Sequence, residues 1–479
     1  MQIDAPQLRR IDWTESFPWT RIFRSFSLAY NVNQLLLALA AVLLIALGGW
    51  LLDEAWNKDS RVFVSNAGGH PQSELTVFLD GGFDLDNARA FAALQREQGD
   101  EARQTVGVFS HLHTFVRHTA NDAVDAVFDV RLLTGDAGNR GLIDTLIRLP
   151  AAVVWLLGMH FGYAVVFIPF VLAVLALFGG AICRIAALQA TREERIGLVE
   201  AMQFSRTKFA HFFGAPLMPV GMIAFFAVLM FVGGILARLP GLDVLAGLIW
   251  FLPLIAGLIM AIMVIASFAV WPLMHPAIAV EGTDAFDAFS RGIGYAFEKR
   301  WRTPFYFLVA MVYGLICLQV IKLLARLMFW LTHAGVGFGM NLIGMRTEEG
   351  ADPVGKLDLL WKQPGPDTPF WGGFGHEALG GTTWAASGLI HLWALLFVFL
   401  IAAFVLSFFF SASTWIYLLL RRDVDGTDLE YIWSEEDEQD LFAEEDAAAS
   451  GAEAPGDGAT SAASEAESAE PPDEPASQP

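Results

Sequence analysis

Six apolar runs dictate what this chain folds into. They lie at residues 33–52, within 149–188, and at about 215–236, 248–270, 304–325 and 384–420. Each reaches the ~20 residues that carry a helix across a hydrocarbon core of ~30 Å. In lipid the backbone amides of such a run must be satisfied within the run, so each is expected to be a helix. The runs are continuous rather than alternating, which argues against a membrane β-barrel. Only 17% of residues are charged and 55% are hydrophobic, against about 25% charged in ordinary soluble domains. The expected fold class is an all-α polytopic membrane protein with about six transmembrane helices and a small α+β insertion.

Charge sets the expected topology. The net charge of -21 belongs to one segment. Residues 423–479 hold 19 Asp and Glu and no Lys or Arg, which leaves 32 acids against 30 bases elsewhere. Arginines cluster at 184–208, 291–302 and 421–422, whereas the short loop at 238–243 holds a single cation. By the positive-inside rule the arginine clusters face the cytoplasm. Both termini are then cytoplasmic, in the inner membrane, and residues 53–148 and 333–383 lie outside. Residues 1–32 interleave Arg9, Arg10, Arg21 and Arg24 with Trp13, Phe17, Trp19, Phe23 and Phe26, a pattern suited to the headgroup region. Run 33–52 is too long for a signal-peptide core and reads as an uncleaved first span.

Residues 53–148 form the main polar insertion. Its VFVSN and LTVFLD segments read as short strands, and 88–98 and 111–128 as helices. Two patterns there invite a metal reading, His111, His113 and His118 on one side and Asp80, Asp84 and Asp86 on the other. Neither matches a compact ligand loop, and solvated surface is the plainer account. Run 149–188 divides into a short interfacial or re-entrant helix at about 151–160 and a span at 162–183. Thr191 with Glu194 has the spacing of a capping box. Residues 333–383 are a Gly- and Trp-rich outer loop with little regular pattern. Beyond about residue 441 the tail is Ala, Ser, Glu, Pro and Gly, a composition that cannot bury a core. Cys183 and Cys317 sit in apolar runs and allow no disulfide framework.

Residues 280–304 carry a Gly-Thr-Asp turn, an amphipathic helix and a cation cluster. Phe289, Ile293 and Phe297 lie at i, i+4 and i+8 beside Phe286 and predict an apolar stripe. Asp284 is placed to cap the helix, and Asp287 to pair with Arg291 one turn on. Part of the stretch recurs. Gly197, Phe204, Ser205, Arg206, Phe212 and Pro219 match Gly282, Phe289, Ser290, Arg291, Phe297 and Pro304, each 85 residues on. Registered matches at so long a period suggest a duplicated span–helix–span unit within 149–332. Val424-Asp-Gly-Thr-Asp428 repeats the turn after the sixth span, and Thr427 with Glu430 again has capping-box spacing. If the first and sixth spans form a third, split unit, they must be neighbours.

Glu281, Gly282, Ala285, Ala288 and Arg291, followed by Trp301 and Arg302 entering the next run, form a further pattern. It resembles the membrane domain that accompanies some bacterial glycerophosphodiester phosphodiesterases, and its stand-alone relatives of unknown function. The likeness covers about residues 160–330. It implies a multi-span membrane fold and not the phosphodiesterase activity, because no such catalytic domain is attached.

No catalytic, dinucleotide or phosphate-loop signature occurs in a suitable context, so no enzyme and no cofactor is expected. No nucleic-acid partner is expected either. The leading expectation is a non-enzymatic protein that organises membrane or binds a partner. Arg206, Arg291, Arg300 and Arg302 are the candidate contacts to anionic lipid headgroups or a partner, and the acidic tail is a second candidate partner surface. Their plain reading is topology alone. The alternative is a transporter or channel built from internal repeats, to which no acid at mid-span lends support.

Overall fold

The computed structural model describes residues 17–57, 60–65, 72–97, 104–129, 131, 140–239, 242–341, 356–365, 368–373, 382–429 and 431–433. The chain divides into two units, Met1–Ile432 and Trp433–Pro479. The sequence readings of residues 1–16, of Glu430 and of the acidic tail fall outside the described residues.

The first unit is a predominantly helical membrane protein. Helix α1 (Val32–Ala55) leads into a small cap of strands β1 (Val62–Ser65), β2 (Gln72–Ser73) and β3 (Gln104–Val106) with helices α2 (Glu74–Asp80), α3 (Leu85–Glu97) and α4 (Val108–Phe128). Then come α5 (Leu142–Met159), α6 (Phe161–Thr191), α7 (Leu198–Thr207), α8 (Phe209–Gly214), α9 (Met218–Leu236), α10 (Phe251–Glu281) and α11 (Ala285–Glu298). Helices α12 (Arg302–Asn341), α13 (Lys356–Leu360) and α14 (Thr382–Asp425) complete it. Among the described residues seven helices are long and apolar enough to cross a membrane, six of them at the expected spans. The seventh is α5, where a short interfacial or re-entrant helix was expected. Helix α5 begins at Leu142, nine residues earlier, and packs on the cap helices α2, α3 and α4.

The core sits towards the arginine-rich end. There the last turns of α6, α10 and α14 meet the first turns of α1, burying Ile182, Ile185, Leu273, Met274 and Tyr417 through Leu420. The first and sixth expected spans, α1 and α14, do pack together. Ser407 Oγ of α14 donates to the Ala29 carbonyl at 3.0 Å, and Ser411 Oγ lies 3.1 Å from the Gln34 side-chain amide. Towards the far ends, α9 and α10 turn large apolar side chains outward, with Phe231 69% and Ile265 71% exposed. So continuous an apolar exterior is what a bilayer, not water, would cover.

Helices α12 and α14 hold 40 and 44 residues. At ~1.5 Å per residue each is about 60 Å or longer, roughly twice a hydrocarbon core of ~30 Å. Helix α12 therefore continues well past Ala325, where its span was expected to end. Much of the expected irregular outer loop is ordered on these projections: Phe329, Leu357, Trp361 and Ala394 form a satellite core.

In the cap, β1 pairs antiparallel with β2 and β3. Its core joins Val62, Leu75, Phe78, Trp155 and Tyr163. The LTVFLD segment, expected as a strand, is helix α2. Ser73 explains the difference: its Oγ accepts from Thr76 N at 3.1 Å while Thr76 Oγ1 accepts from Ser73 N at 2.7 Å. This reciprocal cap satisfies two otherwise orphaned amides and starts a helix in a β-rich stretch. The capping box expected at Thr191 does not form. Thr191 ends α6, its hydroxyl donating back to Ala187 O at 2.9 Å, and the next helix starts after Gly197.

On α11 the buried face is Ala285, Ala288, Phe289, Gly292 and Tyr295, not the expected Phe289, Ile293, Phe297 stripe. Phe286 and Phe297 are exposed. Small residues win because α11 packs closely on α10: a Cβ at Gly292 would overlap the Val270 side chain. Gly292→Ala is therefore expected to destabilise by about 1–3 kcal/mol. Gly294→Ala, facing open space on the same helix, is expected to be neutral or to stabilise by up to ~1 kcal/mol through helix propensity. Thermal midpoints of the two variants in detergent check this; equal midpoints would refute the close-packing account.

Of the pairs matched at an offset of 85, Phe204 and Phe289 are both buried and Arg206 and Arg291 both exposed. The others diverge. Ser205 is buried and Ser290 exposed, and Phe212 is buried while Phe297 is not.

Candidate functional site

A polar layer closes the arginine-rich end, and Glu281 is its centre. Gly282 ends α10 in the left-handed region, φ 65°, a conformation glycine adopts without steric cost. Asp284 then starts α11, its Oδ1 accepting from Asp287 N at 2.7 Å. The turn folds α11 back along α10 and sets Arg291 against Glu281. One guanidinium nitrogen of Arg291 pairs with Glu281 Oε2, and its Nε with Asp287 Oδ2 at 2.8 Å. From α14, Arg421 Nε approaches Glu281 Oε1 at 3.2 Å and Tyr417 donates to the same oxygen at 2.5 Å. The Glu281 and Arg421 side chains are each only 7% exposed. A carboxylate so buried is tolerable only with this density of partners.

The layer widens around that pair. Tyr295 donates to Asp425 Oδ2 at 2.5 Å. Arg302 and Tyr306 reach Asp423 Oδ2 at 2.8 and 3.1 Å. Burial, then the hydrogen bond to Asp425, raises the Tyr295 phenol above its ordinary pKa. For Arg291 burial pulls the pKa down, but the Glu281 and Asp287 carboxylates outweigh it and raise the value overall. The layer's ion pairs and hydrogen bonds tie the ends of α10, α11 and α14 together. It also fixes the chain beyond α14. Arg421 donates to Tyr431 O at 2.8 Å and Arg192 to Ile432 O at 3.0 Å, with Ile432 fully buried.

The four expected contact arginines all lie towards this end and part into two kinds. Arg291 and Arg302 are engaged by carboxylates of their own chain. Arg206 and Arg300 are exposed and form no ion pair with a described residue. Ser205, next to Arg206, is turned inward and donates to Ala176 O at 2.9 Å. Ala176 lies in the π-helical turn Leu175–Gly179 of α6, a geometry that frees carbonyls for such bonds.

In the cap, the three histidines on α4 do not converge. The His111 ring lies 6.2 Å from the Trp155 ring, His113 sits beside Phe109 and His118 is exposed. Asp80 pairs with Arg148 at 2.7 Å and Asp86 with Arg89 at 2.8 Å. Asp84 accepts from Asp86 N at 2.9 Å. Among the described residues no group of three His, Cys, Asp or Glu is placed to hold a metal ion.

Burial lowers the pKa of His111, and again that of His113. Glu74 opposes the shift at His111, while His160 adds to it. The unfolded imidazoles take up protons near pH ~6.5, the folded ones only lower, so folding releases protons in that window. Stability is then fully present above pH ~6.5 and is lost as pH falls below that value towards the lower folded pKa values. The thermal midpoint is expected to fall between about pH 7 and pH 5, with a shallower fall in His111→Gln.

No family model, curated protein or solved structure matches the chain.

Proposed function

We propose that this chain is a non-enzymatic multi-pass protein of the inner membrane that holds a basic protein partner at the cytoplasmic surface through its acidic tail. The carrying observation is the fixed root of that tail. Arg421 and Arg192 hold the backbone of residues 431 and 432 against the bundle. From residue 433 onward the sequence contains 15 Asp and Glu and no Lys or Arg. A single-sign segment leaving a rigid base acts as a tethered charge, raising the local concentration of a cationic partner. Arg206 and Arg300, exposed on the same end, are suited to anionic headgroups that would orient the surface.

The test has two arms. Cysteine at Ala93, exposed on α3, should label with an impermeant reagent in spheroplasts, and cysteine at Ser461 should not; both native cysteines are buried and give little background. A photo-crosslinker at Asp428 should capture a basic protein at low salt, with yield falling at high salt. Neutralising the tail acids to Asn and Gln should abolish capture. Unchanged capture by the neutralised tail, or the reverse labelling pattern, would refute the reading.

A further inference from the structure

The cap holds a cavity of about 190 Å³ where the end of α1 meets the start of α6. Trp56, Arg61, Glu74, Arg96, His160 and Tyr163 line it. Glu74 is 1% exposed. Its Oε1 accepts from Phe63 N at 2.9 Å. Its Oε2 faces His160 Nε2 at 3.4 Å without the alignment of a hydrogen bond, and neither atom has a hydrogen-bond partner among the described residues. A buried carboxylate oxygen without a donor is costly, and a bound cationic donor relieves that cost.

The other wall is cationic. Arg61 reaches only Glu54 at 3.9 Å and the Asp53 carbonyl at 3.5 Å, and its buried Nε has no partner among the described residues. Arg96 lies over the Phe63 ring at 5.4 Å and forms no ion pair with a described residue. Two under-used guanidinium forks on one cavity match a phosphate. Opposite charges thus line a single small chamber, with an orphaned acceptor at its inner side. A metal ion fits less well, because Glu74 and His160 are the only His, Cys, Asp or Glu among the residues lining the cavity, and two cations share it.

We propose that this cavity binds a zwitterion carrying a primary ammonium and a phosphate, the ammonium donating to Glu74 and the phosphate held by Arg61 and Arg96. Free phosphoethanolamine and the phosphatidylethanolamine headgroup share that chemistry. A quaternary ammonium offers Glu74 no N–H. The volume equals a few water-sized groups of ~30 Å³ each, enough for a headgroup and not for an acyl chain. Helices α1 and α6 both qualify as membrane-crossing, which puts the chamber at headgroup depth.

The test uses the full chain in phosphatidylcholine nanodiscs. Calorimetry should show phosphoethanolamine binding at least tenfold tighter than inorganic phosphate or ethanolamine. Glu74→Gln should weaken it at least tenfold, as should Arg61→Gln with Arg96→Gln, a rim change that decides the matter if Glu74→Gln fails to fold. Nanodiscs containing phosphatidylethanolamine should raise the thermal midpoint of the wild type and not of the variants, which identifies the lipid as a source. A midpoint rise without calorimetric binding assigns the site to lipid alone; binding without a rise assigns it to the free solute. No response in either arm, equal binding of phosphate alone, or variants that bind like the wild type would overturn the proposal.

Discussion

Glu281→Ala is expected to destabilise the bundle by about 3–5 kcal/mol, because it leaves the buried Arg421 without its carboxylate. The Arg421 side chain is 7% exposed, so water cannot replace the lost charge. Arg291 is 42% exposed and keeps Asp287, so it adds little to the loss. Tyr417 loses its acceptor at the same time. Glu281→Gln keeps an acceptor for Tyr417 and should fall between wild type and alanine. Changing both Glu281 and Arg421 to leucine should recover much of the loss in the bundle, since an apolar pair buries no orphaned charge. It should still loosen the tail root, because the hydrogen bond to Tyr431 O is gone and only that from Arg192 to Ile432 O is left. Thermal midpoints in detergent and accumulation in the membrane are the readouts. A midpoint for Glu281→Ala within ~1 °C of wild type would mean that the pair carries no weight.

That centre was half visible in the sequence. The Asp284 cap and the Asp287–Arg291 pair follow from local spacing, and both form. The partner that matters more, Glu281, lies ten residues back and across a turn. It reaches Arg291 only because Gly282 takes a left-handed conformation. Arg421, Tyr417 and Asp425 arrive from α14, and nothing in local periodicity announces a helix more than a hundred residues away. Arg302 likewise reads as a topological cation, yet meets Asp423.

Secondary structure departs from the strongest local signal where two local signals compete. The β-rich run at 75–79 outweighed Ser73 and Thr76, although the cap decides the outcome. On α11 large aromatics suggested the buried stripe, but close approach of α10 selected the small residues. In the cap, local sequence does not single out Glu74 or His160 as a buried pair. An acid directly before an apolar run, in a segment that must bury its face, was the available signal. Pairing it with His160 required the tertiary fold.

Asp53→Ala is expected to cost about 3 kcal/mol, since four buried or part-buried donors lose their acceptor together. Asp53 sits at the end of α1, largely buried. Its Oδ1 accepts from Phe109 N at 2.9 Å and from Tyr163 OH at 3.0 Å. Its Oδ2 accepts from Ser110 N and Ser110 Oγ, each at 2.9 Å. The N-cap residue of α4 is Gly107, which has no side chain to offer, so Asp53 caps that helix from another element and faces its positive end. Gly107 is required for this, since a Cβ there would overlap the Asp53 carboxylate. One side chain thus ties α1, α4 and α6 together at the junction of cap and bundle. Asp53→Asn turns an amide N–H towards donors and should approach alanine in cost, whereas Ser110→Ala should lose only about 1 kcal/mol. Hydrogen exchange separates local from global damage. In Asp53→Ala the amides of the first turns of α4 should exchange faster while those around Ile182 and Leu418 keep their protection. Equal acceleration in both places would show that Asp53 supports the whole bundle, and no acceleration in α4 would show that it does not cap that helix.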